Sequence, residues 1–196
     1  SYAYNKTPMS SDGRFLAGPE AGVTYSTTAF TADYDSNIRN KNKRLKLVDN
    51  QTQKKLSFEE PGNPHLVFSP DSKYLAALPE SGGAKVWDTV SGSKYAELLT
   101  TKIFSVVFAD NGRTLFTGGA DGAIRVYALP SGDHLLTLTA FNNDEWIISL
   151  PNGKYNSSSG AAKYMKLEGF SGKSLLKKLA TEYYSPQEIS AALTAI

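Results

Sequence analysis

Gly169-Phe170-Ser171-Gly172-Lys173-Ser174 is the stretch of this chain nearest in type to a reactive loop. A Gly-Lys-Ser opening a helix can wrap phosphate oxygens in backbone N–H groups and offer a hydroxyl to magnesium. The spacing fails at its far end, because the pattern needs glycine five positions before Gly172, where Leu167 stands. Too little chain follows to build a nucleotide fold. With no cysteine in 196 residues, thiolate attack, thiolate zinc sites, disulfides and thiol redox chemistry are excluded. A serine nucleophile would need His65 or His134 as its base. His65 falls on a predicted strand and His134 aligns with Lys94 just after a turn, so both read as surface or hydrogen-bonded structural residues. The two histidines lack metal-ligand spacing, and the Asp/Asn-Gly turns lack the D-x-D-x-D-G density of a calcium loop. No catalytic residue, cofactor or metal ligand is assigned.

The elements carrying these residues are repeated. Phe68 to Asp88 and Phe108 to Ala128 are one unit written twice: Phe68/Phe108, Leu75/Leu115, Val86/Val126 and Trp87/Tyr127 all pair at an offset of 40 residues. That is the period of four-stranded propeller blades, so the predicted fold class is an all-β, partial propeller of three to four blades. Period-two alternation with β-branched and aromatic residues predicts strands near 64–68, 73–78, 84–88, 94–99, 103–109, 113–118, 123–128 and 134–139. Asn111-Gly112, Asp121-Gly122 and Asn152-Gly153 supply residues that accept positive φ in tight turns. The unit recurs upstream at Ser10–Leu16 and Arg44–Asp49, with residues 23–43 between them reading as an insertion in the first blade. Ser149–Tyr155 repeats the opening turn, so a fourth blade is expected to begin there.

From roughly residue 10 to 140 the chain resembles WD40 repeats, whose blades open on an S-P-D-G-K-Y-L type turn and end the third strand in Trp-Asp. Trp87-Asp88 is the full dipeptide, and Tyr127-Ala128 and Val48-Asp49 are degenerate versions. The family's Gly-His dipeptide is missing, so of its buried His/Ser/Asp/Trp network the resemblance leaves Asp121 and Tyr127 as remnants. Glu145-Trp146-Ile147-Ile148-Ser149-Leu150-Pro151-Asn152-Gly153-Lys154-Tyr155, with Gly160–Tyr164 and Tyr183–Pro186, resembles the terminal motif of bacterial WD40 proteins that often accompany caspase-like peptidase domains. Trp146 is the marker residue of that motif. Asp110-Asn111-Gly112-Arg113-Thr114 is similar to the Asp-box of sialidase-like propellers, but Phe108 and Leu115 replace its outer residues and the segment aligns with the neighbouring blade's turn.

Composition is ordinary for a globular chain, 40% hydrophobic and 20% charged, with net charge +2, which implies no nucleic-acid partner. The cations of Arg39–Lys55 alternate with Leu45 and Leu47, placing them on the solvent face of a strand. No apolar run is long enough for an integral membrane segment, and no signal pattern opens the chain at Ser1, leaving cytoplasm and periplasm both open. The propeller is expected over residues 1–168 and a helical tail over 169–196, with helices at Lys173–Leu179 and Glu188–Ile196, Ser185 capping the second. The tail is expected to pack on the propeller's own rim.

The functional expectation is a non-enzymatic scaffold for protein–protein interaction, with Tyr25, Phe30 and Tyr34 of the insertion as partner-binding anchors. Two alternatives stand beside it: the regulatory or substrate-presenting part of a caspase-like peptidase or other enzyme, and a glycan- or small-ligand-binding propeller. Open strand edges call for cover, either from missing blades or from a homodimer whose two copies supply about seven blades.

Overall fold

A computed structural model of the chain describes residues 9–19, 45–58, 65–79, 82–98, 103–109, 112–166 and 172–196. Alternating residues form three antiparallel sheets in simple sequence order. The first holds β1 (Phe15–Pro19), β2 (Leu45–Asp49) and β3 (Lys55–Phe58). The second holds β4 (His65–Phe68), β5 (Tyr74–Leu78), β6 (Ala84–Asp88) and β7 (Lys94–Leu98). The third runs from β8 (Ile103–Ala109) through β9 (Thr114–Gly119), β10 (Ala123–Ala128), β11 (His134–Ala140) and β12 (Trp146–Ser149) to β13 (Tyr155–Ser157). The strands expected between residues 64 and 139 all lie within one residue of their predicted ends. The fold is all-β and propeller-like, with two short helices at its carboxyl end.

The repeat is carried into backbone register. Trp87 pairs with Leu75 and Tyr127 pairs with Leu115, and each strand shifts register against its outer neighbour at the same step, Val86/Trp87 and Val126/Tyr127. Trp87 and Tyr127 are therefore equivalent, and both are buried. Period two then decides which way each side chain packs. Leu75, Ala77 and Trp87 join Phe15, Ala17, Leu45, Leu47 and Phe58 of the first blade. Their alternates Ala76, Leu78 and Val86 join Ile103, Val106, Phe108, Leu115 and Tyr127 of the third. Each large buried side chain in these seams contributes about 1.5–3 kcal/mol. Leu45 and Leu47 point inward as the alternation requires.

The expected fourth blade is not what the opening turn at residues 149–155 begins. Strand β12 pairs with β11 and β13 with β12, so the hairpin widens the third sheet to six strands. Sequence likeness reaches only the turn: Gly153 takes φ +84°, as Gly112 takes +86°, but β12 before it pairs with β11, whereas β8 before Gly112 does not pair with β7. Beyond it, helix α1 (Gly172–Lys178) runs into a π-helical turn, Leu179–Tyr183, and α2 follows at Pro186–Thr194. Pro186 stands in the first turn of α2 as predicted, but the Ser185 hydroxyl donates to Glu188 Oε1 at 3.0 Å and makes no backbone cap. The tail packs on the sheet's free edge. The Ser185 N–H donates to the Tyr155 carbonyl at 2.8 Å, Tyr184 stands edge-on to Tyr155, and Ile189 and Leu179 are buried.

Candidate functional site

The residues with chemical potential gather at blade turns, and there they are spent on architecture. In the first blade the Ser10 hydroxyl donates to Asp12 Oδ1 at 2.6 Å and accepts from the Phe15 N–H at 2.8 Å, while Asp12 Oδ1 accepts from the Arg14 N–H at 3.0 Å. Ser69, Asp71, Lys73 and Tyr74 repeat the set in the second blade at 2.7, 2.9 and 3.2 Å. Burial acts to raise the Asp71 pKa, but hydrogen bonds from Ser69 and Lys73 outweigh it and hold the carboxyl below its usual range. Asp71 Oδ2 is buried without a hydrogen bond of good geometry, and the Lys73 ammonium lies 3.3 Å from it as an ion contact.

The next turn repeats as well. Asp49 Oδ1 accepts from the N–H groups of Gln51 and Thr52, and Asp88 Oδ1 from those of Val90 and Ser91. A backbone bond then ties each turn to the preceding one: Asn50 N–H to the Arg14 carbonyl, Thr89 to Lys73 and Leu129 to Arg113, at 2.8, 2.9 and 2.7 Å. The Arg14 guanidinium, 2.8 Å from Asp49 Oδ2, pulls that carboxyl far below the usual carboxylate range. Asp88 is also lowered, the turn amides and Ser91 outweighing its burial. The third blade has Ala128 at this position and lacks the carboxylate. A shallow crevice beside the Asp49 turn, lined by Leu47, Lys54, Leu56, Thr89 and Val90, opens to solvent.

Asp121 departs from its expected place in a buried network with Tyr127. It is exposed, accepts from the Ala123 N–H, and pairs with the Arg125 guanidinium, which lowers its pKa to about 2. The lost partners explain this: with no Gly-His histidine there is nothing inside for the carboxylate to bond, and Arg125 across the turn takes it. Tyr127 instead lies 5.4 Å from the His134 ring, whose Nε2 is 2.9 Å from the Thr137 hydroxyl. His65 is exposed on β4. Tyr25, Phe30 and Tyr34 lie outside the described residues. Among the described residues no group of three or more His, Cys, Asp or Glu is placed to hold a metal ion.

Trp146 sits half-buried on β12, and its motif carries a clasp that sequence reasoning missed. Glu145 Oε2 bonds the Ser158 hydroxyl and accepts from the Gly160 N–H at 3.1 Å, with Lys163 at 3.9 Å from Oε1. Ser158 oxygen in turn accepts from the Trp146 N–H at 2.9 Å. A β-carbon on Gly160 would fall 1.8 Å from the Glu145 carboxylate, so the pair reads as one device. The acidic residue opening the motif and the serines after Tyr155 were its signal in sequence.

The last feature is a sheet face. On the third blade, Val107, Phe116, Val126 and Leu136 form one row on the side away from the second blade, with Val126 and Leu136 buried, and Gly118, Ile124, Leu138, Ile148 and Asn156 form the adjoining row. No charged side chain stands in either row. Phe104 and Val107 are 66% and 63% exposed.

Residues 93–128 match the family model for WD40, the WD domain, G-beta repeat. The matched span takes in β7 of the second sheet with β8, β9 and β10 of the third, so it crosses the seam where Phe108, Leu115 and Tyr127 pack on Ala76 and Val86. The chain thus carries a WD40 repeat in a propeller-like fold. Such repeats are generally scaffolds that mediate protein interactions. No helix among the described residues is long and apolar enough to cross a membrane.

Proposed function

We propose that this chain is a non-catalytic scaffold that binds other proteins through the loops at its rim. The observation that carries the reading is the fate of the turn carboxylates. Asp12, Asp49, Asp71 and Asp88 each accept backbone N–H groups in repeated turns, where they stay ionised and occupied rather than poised for proton transfer. A scaffold of this kind positions loops on rigid blades, and loops so positioned carry recognition. Tyr25, Phe30 and Tyr34 in the insertion are the anchors, aromatic side chains supplying the largest share of interface energy.

Affinity capture from extract of the source organism tests this, comparing the chain with a Tyr25→Ala, Phe30→Ala, Tyr34→Ala triple variant. A protein retained by the first and lost with the second is expected. Calorimetry with ATP and magnesium provides the opposite outcome: a stoichiometric micromolar site abolished by Lys173→Ala would overturn the scaffold reading.

A further inference from the structure

We propose that the carboxyl-terminal tail is a detachable strap over the β13 edge of the third sheet, opening as a unit while the blades stay folded and yielding its place to an extended partner segment. The tail already holds that edge in the manner of an added strand. Tyr184 forms a parallel bridge with Tyr155, and the Ser185 N–H donates to the Tyr155 carbonyl at 2.8 Å. The pairing stops there, because α2 begins at Pro186, whose ring nitrogen has no hydrogen to donate.

Little burial fastens the tail. Among the described residues from Gly172 to Ile196, Leu179 and Ile189 alone are buried, and α1 buries none of its side chains. Leu176, Tyr184 and Leu193 are each nearly half exposed. The Lys154 ammonium donates to the Glu182 carbonyl at 2.9 Å and lies 3.8 Å from Glu188 Oε1, contacts at the surface, where ion pairs contribute little. By contrast, β9 and β10 are paired along both edges and bury Thr114, Leu115, Thr117, Ala123, Val126 and Tyr127. Local opening is cheapest where burial and backbone pairing are sparse, which sets the tail at the low end of the chain's stability and β9 and β10 at the high end. With the tail off, the Tyr155 carbonyl stands unpaired at a sheet edge, and such an edge takes up an extended segment through backbone hydrogen bonds. The place vacated by Ile189 receives one aliphatic side chain of the incoming segment.

Native-state hydrogen exchange on the full chain tests the opening. The Tyr184, Ser185 and Ile189 amides, bonded to the carbonyls of Leu179, Tyr155 and Ser185, are expected to share one opening and to exchange at least about a hundredfold faster than those of β9 and β10. Val126→Ala speeds the β9 and β10 amides and leaves those three unchanged, because the tail opens without the blades. Circular dichroism checks that this variant keeps its fold, and Val106→Ala takes its place if it does not. Ile189→Ala shifts the tail toward open. A labelled peptide of residues 179–196 should then bind the variant chain at least about tenfold tighter than the parent, since apparent affinity follows the open fraction. Three results would overturn the proposal: tail amides that exchange only together with β9 and β10, tail amides accelerated by the blade substitution, or a peptide that binds both chains equally or neither.

Discussion

Leu45 on the first blade and Ile124 on the third hold the same repeat position, side chains aimed to the same side of their sheets, and only Leu45 is out of water. The alternation of the strand sets the direction of each. What lies in that direction sets its energy, and this comes from the neighbouring unit, as in other repeat arrays where each repeat buries its face only against the next. Substitution separates the two. Leu45→Ala opens a cavity in a closed seam and is expected to cost about 2–5 kcal/mol. Ile124→Ala is expected to cost less than about 1 kcal/mol, because that side chain already stands 41% exposed. Urea unfolding measures both, and equal losses would mean that the Ile124 side chain is packed within the chain.

The same contrast recurs in the turns at Gly13 and Gly112, both in the left-handed region, with φ +73° and +86°. A β-carbon on either pays the backbone cost of about 1–2 kcal/mol. At Gly13 it meets nothing within 4 Å, while at Gly112 it would fall 2.3 Å from the Tyr74 ring. That ring is stacked on Tyr95 at 4.2 Å and near Phe108, so it has little room to yield. Burial in this stack pushes the Tyr95 hydroxyl up to about 12. Gly112→Ala is therefore expected to cost about 1–3 kcal/mol more than Gly13→Ala. Matching thermal midpoints for the two variants would show the Tyr74 stack to be loose.

These pairs also mark how far sequence alone reached. The 40-residue offset made Trp87 and Tyr127 equivalent before any register was known, because a repeat must reuse its own pairing. The turn at Ser149–Tyr155 misled for the same reason: a hairpin turn depends on local φ preference, and Gly153 satisfies it whether the strands beyond start a new sheet or widen an old one. Asp121 misled because its partner is chosen by what is nearby, and Arg125 sits four residues on. Alternation put Val107, Ile124, Val126 and Leu136 on one face, but it does not say which of them are covered: Val107 and Ile124 are exposed, Val126 and Leu136 buried.

At the turn after the third strand of each blade, acid separates the first two blades from the third, which has Ala128 there. Asp49, Asp71 and Asp88 have folded-state pKa values below their unfolded ones, so the unfolded chain binds more protons as pH falls. Their contribution is fully present above the unfolded value, about 4, and is lost as pH drops through the folded values. Asp88→Ala copies the third blade's Ala128 into the second and should cost about 1 kcal/mol at neutral pH through its lost turn bonds. Thermal melts of the two proteins should converge as pH falls from about 5 toward 2. A gap that stays constant over that range would show that the carboxylate's charge contributes nothing.

The smallest effect concerns the one blade turn of this type that uses a residue other than glycine. Ser72 adopts φ +62° where Gly13, Gly112 and Gly153 stand in the equivalent turns. Ser72→Gly removes a left-handed strain of about 1–2 kcal/mol, but it adds about 0.5–1 kcal/mol of chain entropy to be lost on folding. It also deletes the 3.1 Å contact between the Ser72 and Ser11 hydroxyls, worth about 0.5–1.5 kcal/mol. The carbonyl of residue 72 keeps its bond from the Thr89 hydroxyl, because the acceptor is backbone. The terms nearly cancel, so Ser72→Gly alone should lie within about 0.5 kcal/mol of the parent. In a Ser11→Ala background the hydroxyl contact is already gone, and the same change should stabilise by about 0.5–1 kcal/mol. A double-mutant cycle by urea unfolding reads that difference. If Ser72→Gly has the same effect in both backgrounds, the Ser11 contact between the first and second blades does not couple them, and the glycine preference of the turn is a matter of backbone alone.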